Sequence, residues 1–231
     1  MESGGARPRG DREDFWSRPE QVERMAGRDP DERVAELVDA YDEPGDTRVL
    51  DLGCAAGRNT VFLARRGFDV HGLDASPAMV ERTRERVAEV LGREEAARRV
   101  REGYMDDLGL WEDGAFQLVV ALGILHNAAS AEEWDRALAE VDRVVAPGGR
   151  LLVANFAPGT DLRGEGVVDV PGQEHVRDVL GVGRLTLLEA DELDREMAGR
   201  GFRPETPSRT VEVDMDPGRR VVVNALYRRE A

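Results

Sequence analysis

Short apolar runs alternate along this chain with stretches whose apolar residues recur at helical spacing. In VLDLGCAAGRNT, residues 49–60, an apolar run ends in Asp51, a tight loop carries Gly53 and Gly57, and a helix begins. A second apolar run, in VHGLDASP at 70–77, ends in Asp74. Strand, loop, helix and strand in that order predict a βαβ unit of the nucleotide-binding kind. Downstream, FQLVVALGILHNA at 116–128 reads as a buried strand running into a loop, and Ser130 with Glu133 forms a capping box for the next helix. Trp134, Leu138, Val141 and Val145 mark the apolar stripe of that helix, which Ala146-Pro147-Gly148-Gly149 ends. LLVANF at 151–156 is another strand. Toward the end of the chain, ADELDREMAGRGF reads as a helix stopped by Gly199 and Gly201. After it, RTVEVDM and RRVVVNALY flank Asp216-Pro217-Gly218 as a closing hairpin. Alternating strands and helices make this an α/β chain.

The loop after the first strand carries the chemistry. Gly53 and Gly57 permit positive φ and close approach of the backbone to a ligand, and the free N–H groups opening the next helix favour a carboxylate or phosphate. Asp74, at the tip of the second strand, stands where an acid accepts both hydroxyls of a ribose. A dinucleotide fingerprint starting at Gly53 needs glycines at 55 and 58, where the chain has Ala55 and Arg58. What remains is an acid two residues before the first glycine, a Gly-x-x-x-Gly loop and Asp74. Together these resemble the motifs of class I S-adenosylmethionine-dependent methyltransferases, well over residues 45–156 and loosely over 189–227.

That resemblance implies a doubly wound, Rossmann-like, mostly parallel sheet of seven strands, with the last strand inserted antiparallel through the C-terminal hairpin. It implies that Asp51 braces the loop, that the loop backbone meets the methionine portion of the cofactor, and that Asp74 takes the ribose. Asp51, Gly53, Cys54, Ala55, Gly57, Asn59, Asp74, Ala75, Met105, Asp106 and Leu122 are then the candidates for holding S-adenosylmethionine and its product S-adenosylhomocysteine. Two positions depart from the family pattern. Ala55 replaces the middle glycine, which suits a negative φ but forbids the closest backbone approach. In EGYMDDL, residues 102–108, Tyr104 stands where the family often has an acid that accepts from the adenine amine. Asp106, two residues later, is the substitute, with Met105 covering the adenine face. His126, in the loop after the fourth strand, is the candidate catalytic base, with a hydrogen-bonding pocket wall as its alternative role. His71 and His175 have weaker claims.

Length and composition fit one α/β domain with accessory segments: 231 residues, 41% hydrophobic. Residues 1–44 read as an N-terminal tail and lid helices and 45–231 as the methyltransferase domain. The segment 157–188 is too long for a bare connector and reads as a substrate-side lid with a short helix near 173–180. The first dozen residues read as mobile, the first helix signal starts at Asp29-Pro30-Asp31-Glu32 and runs to about Tyr41, and Phe15 and Trp16 are candidates to line the pocket. No run approaches the roughly 20 apolar residues of a membrane span, and the start lacks the apolar stretch of a signal peptide, so a cytoplasmic location and no membrane partner are expected. The single Cys54 rules out an intramolecular disulfide, and three scattered histidines give no zinc spacing, so no metal is expected.

Net charge is −15, and every basic residue is arginine. An acidic surface disfavours nucleic acid, whose phosphates need a basic face. The best local basic cluster, RRVRE at 98–102, reads as a solvated stretch before a strand, and 121–124, Ala-Leu-Gly-Ile, lacks the motif of enzymes that methylate amino groups of bases or glutamine. The reading is methyl transfer to a small molecule by a monomer or homodimer. Two alternatives stand beside it, a catalytically silent S-adenosylmethionine-binding module and a nicotinamide-dependent oxidoreductase.

Overall fold

The computed structural model describes residues 9–231, with side chains from residue 13 onward. The expected mobile start falls, for residues 1–8, outside the described residues; residues 9–12 open the first helix. Three helices, α1 (Arg9–Trp16), α2 (Pro19–Ala26) and α3 (Glu32–Val38), precede the sheet. Two of them lie before Asp29, where the sequence signals its first helix. Asp31 does cap α3, accepting from the Arg33 N–H at 3.2 Å.

The βαβ unit is β1 (Arg48–Leu52), α4 (Arg58–Arg65) and β2 (Asp69–Asp74). Then follow α5 (Pro77–Leu91), α6 (Arg93–Arg99), β3 (Val100–Glu102), β4 (Phe116–Leu122), α7 (Ala131–Val144) and β5 (Val145–Phe156). The chain closes with β6 (Val167–Asp169), β7 (Val176–Val179), β8 (Gly183–Thr186), α8 (Ala190–Ala198), β9 (Phe202–Pro204), β10 (Arg209–Asp214) and β11 (Arg219–Arg229). The main sheet runs β10-β11-β5-β4-β1-β2-β3, the expected seven strands, and short β9 pairs with β11 as an eighth. Strands β3, β2, β1, β4 and β5 are parallel to one another, and β11 is antiparallel to β5, β10 and β9. From β1 the chain goes first to β2 and β3 and later returns to β4 on the other side. The crevice at the carboxyl ends of β1 and β4 is therefore the topological switch point, where open α/β sheets take ligands.

Period-two alternation sorts the buried strand residues onto two faces. Leu50, Leu73, Val119 and Val153 pack with Leu138 and Val141 of α7 and Leu193 of α8. Val49, Val70, Leu118 and Leu152 meet Val34 of α3 and Leu63 of α4 on the other face. Helices on both sides of parallel strands explain why those strands read as unbroken apolar runs.

Three expectations are adjusted. Helix α7 starts as expected, with Ser130 accepting from the Glu133 N–H at 3.2 Å, but the Glu133 carboxylate takes the Ala129 N–H at 2.9 Å, one residue before the reciprocal box position. That helix stops at Val144, and Pro147 with its two glycines forms a bulge inside β5. The segment 157–188 has no helix near 173–180. Strands β6, β7 and β8 form a separate antiparallel sheet there, with Val176, Val179 and Leu185 buried and Gly181 at φ 74 turning the chain. Arg99 of the local basic cluster is tied to Asp69 and Glu95. Among the described residues no helix is long and apolar enough to cross a membrane.

Candidate active site

The loop between β1 and α4 is the tightest piece of backbone near the switch point. Gly53 has φ 74, and a Cβ there would lie 2.9 Å from the Ile124 side chain. Gly57, at φ 80, caps α4, and a Cβ there would lie 2.8 Å from Thr83 Cγ2. Ala55 between them also has positive φ, 47, which corrects the expectation of a negative value. A left-handed L-residue costs roughly 1–2 kcal/mol, so the loop must be held in place by its neighbours. It is: the Ala55 N–H donates to Asp74 Oδ2 at 2.9 Å, and its carbonyl accepts from Thr83 Oγ1 at 2.6 Å.

Asp74 ends β2 with its carboxylate fixed by two backbone donors, Ala55 on Oδ2 and Ser76 on Oδ1, both at 2.9 Å. Burial pushes its carboxyl above the usual range, against the pull of the Ser76, Ala55 and Ala75 N–H groups. This carboxylate opens onto a cavity across the carboxyl ends of β1, β2 and β4. Gly53, Ala55, Asp74, Ala75, Met105, Asp106 and Leu122 of the sequence candidates line it. Asp106 is buried and takes the Arg136 guanidinium at 2.9 Å. Tyr104, in the register of the family's acid, donates its hydroxyl to Glu13 of α1.

The remaining candidates lie off the cavity. Asp51 is buried behind the loop, where its Oδ2 accepts from Thr60 Oγ1 at 2.6 Å, tying β1 to α4. Burial raises its carboxyl to about 6. Cys54 is buried with its sulfur 3.2 Å from the place a Cβ on Gly72 would take, and burial pushes the thiol up. Asn59 accepts from the Asp31 N–H at 2.9 Å and so anchors α3. Gly57 turns the chain into α4. Of the two aromatic candidates on α1, Trp16 lines the cavity, whereas Phe15 sits against Trp16 edge to face at 5.1 Å.

His126 is also off the cavity. Gly123, at φ 81, turns the chain so that the imidazole falls behind it and stacks on Phe156 at 3.8 Å. Among the described residues Nδ1 has no hydrogen-bond partner, and burial lowers the imidazole to about 3. It is thus neutral across the physiological range. His71 is buried under Trp111 and Phe116 beside Arg48, lowered to about 4 by burial and then by that arginine. His175 lies 3.9 Å from Glu192. The neutral burial of His126 has a measurable consequence. Its folded value is depressed below an unfolded value of about 6.5, so the stability it contributes is present above that pH and is lost as pH falls toward 3. His126→Asn is expected to flatten this part of the acid limb, worth up to about 1.4 kcal/mol per pH unit, in denaturant melts at pH 4 to 7.

Sequence reasoning missed several lining residues. Glu133 was visible only as a helix cap, and Asn127 and Ile124 only as loop. Met25 of α2 and Met79 of α5 carry no signal at all, since one apolar residue on a short helix face is unremarkable. No described residue of 157–188 lines the cavity; the small sheet instead props the loop after β4, with Thr186 Oγ1 donating to the Ala128 carbonyl at 2.8 Å.

Comparison with known proteins agrees with this geometry. A family model described as a methyltransferase domain matches residues 49–149. A demethylmenaquinone methyltransferase of Thermus thermophilus is 39% identical over 125 residues, 52% of this chain and 52% of that protein. A malonyl-[acyl-carrier protein] O-methyltransferase of Halorhodospira halophila is 36% identical over 163 residues, 67% of this chain and 51% of that protein. The chain spans about half the length of these relatives. Among solved structures, the [4+2]-cyclase SpnF superposes with TM-score 0.67 at 17% identity, covering 99% of this chain and 100% of that one. The 1,6-didemethyltoxoflavin-N1-methyltransferase of Burkholderia thailandensis, with 1,6-didemethyltoxoflavin and S-adenosylhomocysteine bound, gives 0.61 at 21% identity, covering 96% of this chain and 84% of that one.

Proposed function

Residues 49–149 belong to the methyltransferase-domain family, on the class I S-adenosylmethionine-dependent fold, and from that premise we propose that the chain moves a methyl group from S-adenosylmethionine to a small-molecule acceptor. The observation that carries the reading is Asp74, a carboxylate held by two N–H groups at the mouth of the glycine loop and open to the cavity. The residues fit the cofactor. Asp74 offers acceptor oxygens for two hydroxyl donors, Leu73, Met79 and Met105 supply apolar walls for a planar ring, and Asp106 offers an acceptor for its amine.

When bound, the cofactor supplies a methyl group made electrophilic by its cationic sulfur. The chain's part is then mostly positioning, since holding nucleophile and methyl in line removes the entropic share of the barrier. Glu13, Trp16 and Met25 of α1 and α2 line one side of the cavity, which supports reading 1–44 as a tail with lid helices on a domain of 45–231. Trp16→Ala is expected to weaken S-adenosylhomocysteine binding by about three- to tenfold in calorimetry, the loss of one apolar wall. His126, neutral and stacked on Phe156 behind Gly123, lines no part of the cavity, so no inflection of the rate near pH 6.5 is expected from it.

The relative named for demethylmenaquinone and the neighbour named for 1,6-didemethyltoxoflavin support a small acceptor, and the relative named for malonyl-[acyl-carrier protein] a small group presented on a carrier. An acidic chain, −15 overall, supports the same choice over nucleic acid. A buried, unpaired cysteine fits the cytoplasm. The silent module stands as the second reading because fold alone does not fix chemistry: SpnF shares this fold over nearly the whole chain and is named as a cyclase, not a methyltransferase. Incubating the protein with labelled methyl donor and a metabolite extract separates them. Label on a small molecule is expected; saturable S-adenosylhomocysteine binding with no labelled product across the extract would favour the module.

A further inference from the structure

We propose that Thr83, on α5 and outside every motif discussed so far, is a positioning residue that sets the conformation of the glycine loop and, through it, the aim of Asp74. The inference rests on the cofactor reading above for its functional meaning and on geometry for its mechanism.

Thr83 is fully buried, yet its hydroxyl leaves its own helix and donates to the Ala55 carbonyl at 2.6 Å. A threonine inside a helix ordinarily bonds back to the carbonyl four residues earlier. Its methyl is used as well: a Cβ on Gly57 would come within 2.8 Å of Thr83 Cγ2, so the side chain fills the space that glycine leaves. Three residues on, and so on the same face of α5, Arg86 donates to the Ala56 carbonyl. Two successive loop carbonyls are thereby drawn toward α5. With its carbonyl held there, the Ala55 peptide keeps φ at 47, and its N–H is directed onto Asp74 Oδ2 at 2.9 Å.

The chain of cause runs from the Thr83 hydroxyl to the Ala55 carbonyl, from the Ala55 N–H to Asp74, and from Asp74 to the ligand. Without the hydroxyl, the carbonyl loses its partner and an alanine has every steric reason to leave the left-handed region. Asp74 then loses the donor that reaches it from the loop, keeping those of Ser76 and Ala75, and its carboxylate is less tightly aimed.

The test uses the full chain and four variants, with two readouts. The first, amide hydrogen exchange of the ligand-free protein, does not depend on the cofactor. Thr83→Val is expected to speed exchange at residues 53–57 by about tenfold or more, while Thr83→Ser, which keeps the hydroxyl, stays near wild type. Unchanged protection in the valine variant would overturn the proposal. The second readout is S-adenosylhomocysteine affinity by calorimetry, with thermal melts confirming the fold. Thr83→Val is expected to weaken binding about tenfold and Thr83→Ser less than about threefold, and on an Asp74→Ala background the valine change is expected to cost less than about threefold. A serine variant as weak as valine, or full additivity with Asp74→Ala, would reduce Thr83 to packing. Should Thr83→Val not fold alone, Ala55→Gly supplies the background, because glycine takes positive φ without strain. On it, Thr83→Val is expected to bind within about threefold of Ala55→Gly alone, and a loss of about tenfold would contradict the clamp. Failure of the wild-type chain to bind the nucleoside counts against the functional reading, while the exchange result still decides the clamp.

Discussion

Asp74→Ala is expected to weaken S-adenosylhomocysteine binding by at least tenfold in a protein that still melts cooperatively. Hydrogen bonds to a charged group contribute on the order of 1.5–3 kcal/mol each, and about 1.4 kcal/mol is one decade of affinity. The carboxylate is preorganised by the Ala55 and Ser76 N–H groups, so a ligand's hydroxyls meet it without reorganisation. Some stability is lost as well, because the Ala55 and Ser76 amides lose their acceptor and Ser76 is buried, so cooperative melts accompany the titration. Calorimetry showing unchanged affinity would remove Asp74 from the ligand contacts and with it the observation on which the functional reading stands.

Asp51→Asn is expected to stabilise the protein above neutral pH. Burial raises the Asp51 carboxyl to about 6, from an unfolded value of about 3.9. A carboxyl raised in the folded state holds its proton more tightly there, so its stabilising contribution is full below about pH 4 and is lost as pH rises through about 6. At about 1.36 kcal/mol per unit, the separation is on the order of 3 kcal/mol, which the charge-free amide recovers while its oxygen still accepts from Thr60 Oγ1. Denaturant melts are expected to show a gain at pH 7.5 that disappears near pH 4. His126 tilts stability the other way over the same acid range, so the double variant with His126→Asn is expected to have a flatter profile than either single change. A gain that persists at pH 4 would mean that something other than the buried charge is responsible.

The parts of this molecule legible in its sequence are those where one residue type answers one backbone requirement. Gly53 and Gly57 demand left-handed φ, Asp74 ends an apolar run, and Ser130 caps a helix, so the βαβ unit, its loop and the β10–β11 hairpin were readable as they stand. What tertiary contacts decide was not. The sign of φ at Ala55 is set by Thr83 and Asp74, which lie 28 and 19 residues away. The direction of His126 depends on the turn at Gly123 and the Phe156 ring behind it. Among the described side chains, helices α1 and α2 bury few, such as Val22 against Ala56 and Met79, and so few apolar positions make no periodic signal. The segment 173–180 reads as a short helix because β7 within it is four residues long and its buried residues, Val176 and Val179, stand three apart, a helical spacing and not an alternating one.

The measurement that bears most directly on the whole account is a pair of calorimetric titrations of the wild-type chain, one with S-adenosylhomocysteine and one with a nicotinamide dinucleotide. Both ligands carry an adenosine whose ribose an acid after the second strand can hold, and they differ in what the glycine loop must accommodate. With Ala55 and Arg58 where a dinucleotide fold needs glycines, the account predicts saturable one-to-one binding of S-adenosylhomocysteine and no measurable heat from the dinucleotide. Saturable binding of the dinucleotide with none of S-adenosylhomocysteine would contradict it.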